Sequence, residues 1–286
     1  MCTECGCGLP GDKPADVSNH SHDHDPDHGH GHHHSHDHDP GHSHSHGQSG
    51  HQHEHAAQDE QRRTLEVRRA MLEKNDRLAE RNRGFFRARG LLALNVLSST
   101  GSGKTTFIRE AVRSLGGRLK TGVIVGDLAT DNDARRLRES GAPAVQITTG
   151  TVCHLEAEMV ARALNELDLN GLDLLIIENV GNLVCPASYD LGEDLRVVLL
   201  SVTEGEDKPL KYPPMFQSAG AVVVSKMDLA QACDYNRETA LANLRRLAPN
   251  APVFELSAKT GQGMAAWCDF MLQQHQALKA RNPLSP

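Results

Sequence analysis

NVLSSTGSGKTTF, residues 95–107, is the stretch of this 286-residue chain that decides the fold. An apolar run, LLALNVL (91–97), leads into it, and a helical pattern, FIREAVRSL (107–115), follows it. A strand, a glycine-rich turn and a helix in that order are typical of a loop that cradles phosphate groups at a helix N-terminus. The alternative is a glycine-rich turn that contains a lysine by chance.

The residue types inside the loop favour phosphate binding. Glycine at 101 and 103 lets backbone N–H groups approach a phosphate. Lys104 supplies a positive charge, and Thr105 offers a hydroxyl to Mg²⁺. The strict pattern has glycine at the position of Ser98, so the match is slightly weakened. The predicted phosphate-binding residues are Gly101, Ser102, Gly103, Lys104, Thr105 and Thr106.

Apolar runs and helical patterns alternate along the rest of the chain. Strands are predicted at 91–97, 121–127, 144–148, 172–179, 195–202, 219–226 and 251–257, and helices at 107–115, 132–140, 154–167, 236–248 and 264–280. Continuous Val, Ile and Leu runs separated by helices indicate a parallel sheet that is covered on both faces. The predicted fold class is therefore α/β: a P-loop NTPase with a doubly wound, mostly parallel sheet.

Composition divides the chain into three predicted regions. Residues 1–57 are rich in Cys, His, Asp, Gly and Ser, and we expect them to be disordered without metal because they hold too few apolar groups to offset chain entropy. Residues 58–90 form a helical lead-in, and residues 91–286 form the P-loop domain. The lead-in helix, from Gln58 to about Arg83, carries apolar residues at roughly helical spacing: Leu65, Met71, Leu72 and Leu78.

Charge and cysteine usage exclude several classes of protein. A net charge of −7 gives no electrostatic reason to expect a nucleic-acid partner. Acidic residues interrupt the basic stretch 62–90, and this interruption favours a solvated helix over an RNA-binding arm. No apolar run approaches the ~20 residues that span a bilayer, and no signal peptide precedes the domain. Seven cysteines, an odd count, indicate reduced thiols. We expect a cytoplasmic protein with no membrane partner.

Two carboxylates end predicted strands. Glu178 closes LDLLIIE, and Gly181 lies three residues later, where GTPases usually have Asp-x-x-Gly with the acid near Mg²⁺ and the glycine N–H at the γ-phosphate. Asp127 closes VIVGD, at the edge of the sheet where ligands gather. The alternatives are a structural carboxylate at Glu178 and a helix N-cap or turn residue at Asp127. The predicted catalytic residues are Lys104, Thr105, Asp127 and Glu178.

Two motifs follow the last two predicted strands, SKMD (225–228) and SAK (257–259). Asp228 can accept hydrogen bonds from N1 and N2 of guanine, a pair of donors that adenine lacks. Lys226 can lay its stem along the base, and the Ala258 N–H can reach O6. GTPases begin the first motif with Asn, where this chain has Ser225, but the two motifs together favour GTP over ATP. The predicted base-binding residues are Lys226, Asp228, Ser257, Ala258 and Lys259.

Cys153, His154 and Cys185 form a candidate metal site, because thiolate and imidazole suit Ni²⁺ or Zn²⁺ better than Mg²⁺. A lone Cys or His is more often a buried core residue. Cys185, however, lies four residues after Gly181, and Gly181 is expected to move when the γ-phosphate is lost. A metal ligand at Cys185 would therefore couple nucleotide state to metal geometry. Three protein ligands also leave a coordination position for water or for a second subunit.

The N-terminal region offers two further kinds of metal ligand. Cys2, Cys5 and Cys7 give three thiolates, and removal of Met1 would add a terminal amine, a set that suits square-planar Ni²⁺ or tetrahedral Zn²⁺. Sixteen histidines follow, mostly neutral at pH 7 and therefore able to store metal weakly. They are His20, His22, His24, His28, His30, His32, His33, His34, His36, His38, His42, His44, His46, His51, His53 and His55. The alternatives are an exposed or redox-active thiol cluster and a merely soluble linker.

Several motifs together resemble the hydrogenase nickel-incorporation GTPases, the HypB family. They are CTECGC, GSGKTT, GDLATDNDA, TGTVCHLEAEM, ENVGNLVCPASYDLGE and SVTEGEDKPLKYP. The related urease accessory GTPases carry a Cys-Pro-His metal motif that is absent here. The chain departs from the family at Ser225 and at the pair Leu128 and Ala129.

The resemblance implies a GTP-dependent homodimer that hydrolyses GTP to GDP and delivers nickel to the large-subunit precursor of nickel–iron hydrogenase, working with a nickel-binding partner, HypA. It places a metal site at the dimer interface on Cys153, His154 and Cys185, and a high-affinity nickel site on the three N-terminal cysteines. The implied cofactors are GTP or GDP, Mg²⁺ and Ni²⁺, with Zn²⁺ as the alternative metal. Asn182, rather than a water-orienting Gln, follows Gly181, so we expect slow intrinsic turnover.

Two other functions stay open at this point. One is a metal-storage protein whose nucleotide domain serves only assembly. The other is a GTPase for a different client, such as urease or a zinc enzyme.

Overall fold

The computed structural model describes residues 50–127 and 132–281. Each of the seven predicted apolar runs forms a strand, and all seven join one parallel sheet in the order β3-β2-β4-β1-β5-β6-β7. The strands are β1 (Leu92–Leu97), β2 (Thr121–Asp127), β3 (Ala144–Thr148), β4 (Leu174–Glu178), β5 (Leu195–Ser201), β6 (Ala221–Ser225) and β7 (Val253–Glu255).

The described helices include every predicted one and two more. They are α1 (Gly50–Ala88), α2 (Lys104–Leu115), α3 (Asn132–Glu139), α4 (Ala157–Ala163), α5 (Lys208–Lys211), α6 (Pro213–Gln217), α7 (Arg237–Leu247) and α8 (Met264–Arg281), with 3-10 turns at Cys185–Ser188, Val202–Glu204 and Met227–Leu229. The predicted helix 154–167 is shorter than expected, since Glu156 is extended and α4 begins only at Ala157. The unpredicted pair α5 and α6 is short, and each begins with proline in its first turn.

Both faces of the sheet are covered, so the doubly wound prediction is confirmed. Leu92, Leu94 and Val96 of β1 pack on one side with apolar residues of α2 and α8. The alternate residues Ala93 and Leu97 face the other side, where α4, α6 and α7 contribute to the buried clusters. The period of two along β1 is what a strand buried on both faces requires.

The strand order places the sites. The chain passes from β1 to β2 and β3 on one side, returns to β4 beside β1, and then continues to β5 on the opposite side. Ligands of open α/β sheets bind beyond the carboxyl ends of the strands where this reversal occurs. β1 ends there in the predicted phosphate loop, with Glu178 of β4 paired to Val96.

The lead-in helix is confirmed but its predicted apolar face is partly wrong. Leu65 and Met71 are 64% and 51% exposed. From Arg68 onward the buried stripe is instead formed by Asn75, Ala79, Asn82 and Phe86, at positions i, i+4, i+7 and i+11. Hydrophobic periodicity missed this stripe because two of its four residues are polar.

Among the described residues, contacts divide the chain into a first unit that ends at Val67 and a second, compact unit that begins at Arg68. The described part of the first unit is helical, with an exposed Arg62–Glu66 ion pair. No described helix is long and apolar enough to cross a membrane.

Some predictions fall on residues that the structure does not describe. They concern the disorder and metal binding of residues 1–49 and the departures at Leu128 and Ala129. His51, His53 and His55 lie in the first turns of α1, and their side chains are likewise outside the described set.

Candidate functional site

The phosphate loop has the backbone that its sequence predicts. Gly101 and Gly103 adopt left-handed φ angles of +78° and +93°, and α2 begins directly afterwards at Lys104. Its N-terminal N–H groups therefore face the end of β1. Ser98, in place of the usual glycine, is fully buried, and its Oγ accepts hydrogen bonds from Ser102 Oγ at 2.6 Å and Lys104 Nζ at 3.2 Å. The serine thus ties the loop to the lysine.

A cavity of about 370 Å³ lies over this loop. Its lining includes the predicted residues Gly101, Ser102, Gly103, Lys104, Thr105, Thr106, Asp127, Glu178 and Gly181. Burial is the main cause that lowers the pKa of Lys104 and raises the pKa of Glu178 to about 7.

Glu178 and Thr105 fit a hard divalent cation. Thr105 Oγ1 donates a hydrogen bond to Glu178 Oε1 at 2.6 Å. The second oxygen, Oε2, is buried and makes no hydrogen bond to any residue that the structure describes. A buried carboxylate oxygen without a partner is costly, and Mg²⁺ coordination by this carboxylate and the hydroxyl would remove that cost.

Gly181 touches the phosphate loop. A Cβ at this position would lie 2.7 Å from Thr100 Oγ1 and 3.0 Å from Thr100 Cα, so only glycine fits without a shift. The Thr100 hydroxyl donates a hydrogen bond to the Gly181 carbonyl at 3.0 Å. The phosphate loop is thus in direct contact with the segment that leads to Cys185.

The predicted base-binding residues line a neighbouring cavity of about 210 Å³, which shares Ser102, Gly103 and Thr106 with the phosphate cavity. The lining from the two base motifs is Ser225, Lys226, Asp228, Ser257, Ala258 and Lys259.

Hydrogen bonds orient the base motifs. Ser257 Oγ donates to Asp228 Oδ1 at 2.6 Å, which fixes the carboxylate. Lys226 Nζ donates to the Gly101 carbonyl at 2.7 Å. Ser225 Oγ donates to the Ser102 carbonyl at 2.8 Å, so the serine that replaces Asn still anchors the base motif to the phosphate loop.

Cys153, His154 and Cys185 come together although 32 residues separate the two cysteines. Their ligand atoms all lie within 4.8 Å of one another, and the Cys153 and Cys185 Sγ atoms are hydrogen-bonded at 2.9 Å. His154 is 4% exposed and neither ring nitrogen forms a hydrogen bond within the described chain. Burial lowers the pKa of His154, which favours the neutral imidazole that binds metals. The ring stacks on Tyr189 with centroids 3.9 Å apart.

Two asparagines between the sites hold the metal loops. Asn182 Nδ2 donates to the Cys153 carbonyl at 3.4 Å, and its Oδ1 accepts the Val184 N–H at 2.8 Å. Asn179, next to Glu178, accepts the Leu155 N–H at 3.2 Å. Asn179 and Asn182, one and four residues after Glu178, are thus bonded to the loops that carry the two cysteines.

Sequence reasoning missed several lining residues. Asp133 and Arg136 of α3 line the phosphate cavity, and 3.5 Å separates the Arg136 guanidinium from the Asp133 carboxylate. Their place after β2, at the carboxyl edge of the sheet, was an available signal. Tyr189 and the buried asparagines gave no signal of this kind, because only the folded loops bring them to the cysteines.

Comparison with known proteins agrees with this arrangement. The CobW/HypB/UreG nucleotide-binding domain matches residues 92–255. The hydrogenase maturation factor HypB of Azotobacter chroococcum is 49% identical over 224 residues, which cover 77% of this chain and 73% of that protein.

This chain belongs to the HypB family.

Two Helicobacter pylori comparisons extend the HypB match. The hydrogenase/urease maturation factor HypB of that organism is 44% identical over 208 residues, covering 71% of this chain and 85% of the relative. The crystal structure of HypB from Helicobacter pylori in complex with nickel matches with a TM-score of 0.69 and 43% identity, covering 71% of this chain and 96% of the other. The family resemblance predicted from the motifs is thereby confirmed.

Proposed function

We propose that this chain is a GTP-hydrolysing nickel metallochaperone that acts in hydrogenase maturation. It binds and stores Ni²⁺ as cargo, and its nucleotide state gates delivery into the hydrogenase large-subunit precursor. Zn²⁺ is the alternative occupant of the Cys153 site. The relative crystallised with nickel supports nickel as the cargo.

One observation carries the proposal. Gly181 contacts Thr100 of the phosphate loop, and Cys185 lies four residues further along the same segment. A change at the γ-phosphate is therefore positioned to change the distance between Cys185 and the ligands on the other loop. Asn182 reinforces this link because it bonds to the Cys153 carbonyl.

The chain's own groups account for hydrolysis. Lys104 and the N-terminus of α2 place positive charge where the phosphates bind. Mg²⁺, when held by Thr105 and Glu178, with Asp127 and Asp133 nearby, would neutralise charge that develops on the phosphate oxygens. Asp228, whose carboxylate is held by the Ser257 hydroxyl, would select guanine, with Lys226 along the base and the Ala258 N–H at O6.

Turnover is expected to be slow. Asn182 occupies the position where Ras-like enzymes place a water-orienting Gln, and both ends of its side-chain amide bond to the metal loops. Its side chain is therefore held away from the role of orienting an attacking water.

The three protein ligands leave the metal site incomplete, so we propose that a second copy of the chain completes it in a homodimer. Cys153 is half-buried, and Val184, next to Cys185, is 50% exposed. A HypA-type nickel-binding protein and the large-subunit precursor are the proposed partners.

The test is nickel insertion in cells that lack the native copy. Full chain with Lys104→Ala should leave the hydrogenase large-subunit precursor without nickel, whereas the wild-type chain restores its nickel content. Nickel insertion that is unchanged by Lys104→Ala would favour metal storage with a nucleotide domain used only for assembly. Deletion of residues 20–55 should lower the bound nickel per chain; if it does not, the storage role of the histidines is wrong.

Urease is a second candidate client, because a relative 44% identical to this chain is a hydrogenase/urease maturation factor. Urease activity that falls on deletion of this chain, and returns with the wild-type copy, would support it.

A further inference from the structure

The buried face of α1 carries two asparagines where a packing helix would place apolar residues. Asn75 is 5% exposed and Asn82 is 2% exposed, and the residues between and beyond them on the stripe, Ala79 and Phe86, are fully buried. Asparagine is a poor helix former, and burial of its amide is costly unless every polar atom is hydrogen-bonded. The groups that hydrogen-bond to these two amides therefore show which part of the chain the buried face of α1 holds.

Each asparagine bonds to both metal-ligand loops. Asn75 Oδ1 accepts the Ala157 N–H at 2.9 Å, and Asn75 Nδ2 donates to the Asp190 carbonyl at 2.7 Å. Asn82 Nδ2 donates to the Ala157 carbonyl at 2.8 Å and to the Leu191 carbonyl at 3.1 Å. Helix α1 thus bonds through both asparagines to Ala157 of one loop. The same asparagines bond to Asp190 and Leu191, which are successive residues of the other loop.

These backbone groups are close to the metal ligands in sequence and in space. Ala157 begins α4 three residues after His154, and its N–H has no partner within the helix because it lies in the first turn. Asp190 follows Tyr189, whose ring stacks on His154. The 190–191 segment is also five residues from Cys185. A displacement of either loop would change the separation of the ligand atoms.

Two further contacts hold the same loop against α1. Gly192 has a φ of +90°, and a Cβ there would lie 2.5 Å from the Ala79 carbonyl oxygen, so the loop packs directly on the helix backbone. Arg83 donates to the Glu193 carbonyl at 2.9 Å and forms an ion pair with Asp190. Close backbone approach and four amide hydrogen bonds define one relative position of the two loops.

We propose that Asn75 and Asn82 form an asparagine staple, a pair of positioning residues that pre-organises the Cys153, His154 and Cys185 site for its metal. The inference rests on the proposed function for the identity of the cargo and adds α1 to the parts that build the site. Groups that orient metal ligands without touching the metal typically change metal affinity by about 10- to 100-fold when they are removed.

The test uses the full chain with Cys2, Cys5 and Cys7 replaced by Ser, so that thiolate-to-nickel charge-transfer absorption reports the Cys153 site. Cys185→Ser in this background should weaken Ni²⁺ binding by about 100-fold and remove the part of the band that its thiolate contributes. Asn75→Leu and Asn82→Leu should each weaken Ni²⁺ binding by about 10- to 100-fold and shift the band, with GDP affinity unchanged. Asp76→Leu is the matched control, since Asp76 lies next to Asn75 on the exposed side of the helix. Asn75→Ser serves as a milder variant if a leucine variant fails to bind GDP.

A second measurement needs no metal. The equilibrium between the Cys153–Cys185 dithiol and its disulfide in a glutathione buffer reports how closely the loops hold the two thiols. The staple variants should form about tenfold less disulfide relative to dithiol than the control, because the effective concentration of one thiol at the other falls.

Outcomes separate this inference from the proposed function. If the chain without the N-terminal cysteines shows no nickel band that depends on Cys185, the proposed cargo site is contradicted. The disulfide equilibrium would still test the staple in that case. Nickel affinity and disulfide equilibrium that both stay within about twofold of the Asp76→Leu control would overturn the staple.

Discussion

The predicted nucleotide site and the predicted metal site both lie beyond the carboxyl ends of the strands, but they are built in different ways. Most of the predicted phosphate-binding residues lie in one contiguous loop, residues 98–106, whose conformation is fixed by its own glycines and by Ser98. The metal site joins two loops 32 residues apart, and side chains of other elements hold them together. A local site is coded by its own residues, whereas an assembled site depends on its neighbours. Substitutions in one site should therefore leave the other intact, except where the two are joined.

The largest expected effect is at Lys104. Lys104→Ala removes the buried charge that faces the phosphates, so GTP hydrolysis should fall by about 1000-fold. Phosphate release under single-turnover conditions measures this. Ni²⁺ affinity without nucleotide should be unchanged, and a parallel loss of nickel binding would show that the two sites are not separable.

Cys185→Ser tests the metal site from the other side. Loss of a thiolate ligand should weaken Ni²⁺ binding at the Cys153 site by about 100-fold, because losing a direct ligand costs at least as much as losing an outer one. GDP affinity should stay the same, as followed by fluorescence of a labelled nucleotide. If Cys185→Ser still binds Ni²⁺ with unchanged affinity in the chain that lacks the N-terminal cysteines, Cys185 is not a ligand.

The pH dependence should appear in the nucleotide site. Mg²⁺ requires the ionised form of Glu178, whose pKa is raised to about 7, so protons compete with Mg²⁺ below that pH. Mg²⁺ affinity of the GDP complex should be flat above pH 7 and should fall by up to about tenfold per pH unit below it. Titrations between pH 5.5 and 8 with Glu178→Gln as control, which should bind weakly at every pH, measure this. A flat wild-type profile would exclude Glu178 as a Mg²⁺ ligand.

Gly181→Ala should act on the connection between the sites and give the smallest change. The added methyl would lie 2.7 Å from Thr100 Oγ1, so the segment must move away from the phosphate loop. The ratio of Ni²⁺ affinities in the two nucleotide states should then fall from about 5-fold or more toward one. Affinities in each single state should change less than in Cys185→Ser. A ratio equal to that of the wild type would place the coupling elsewhere.

The sequence predicted the parts whose signal is local. Continuous apolar runs predict the seven strands that the structure shows, and the phosphate loop, Glu178 and Asp228, predicted from motifs at strand ends, line two neighbouring cavities. The buried face of α1 was missed because Asn75 and Asn82 occupy core positions that hydrophobic periodicity assigns to apolar residues. The partners that make these asparagines tolerable, Ala157 and the 190–191 segment, are more than 70 residues away and are defined only after folding.

The most direct test of nucleotide gating is a Ni²⁺ titration of the full chain with Cys2, Cys5 and Cys7 replaced by Ser, first with GDP and then with a non-hydrolysable GTP analogue. Affinity from the thiolate-to-nickel band and oligomeric mass are recorded together. We expect the two nucleotide states to differ in nickel affinity by about 5-fold or more, the usual scale of coupling between two sites. Identical affinities and masses would mean that the nucleotide and metal sites are independent, which contradicts gated delivery.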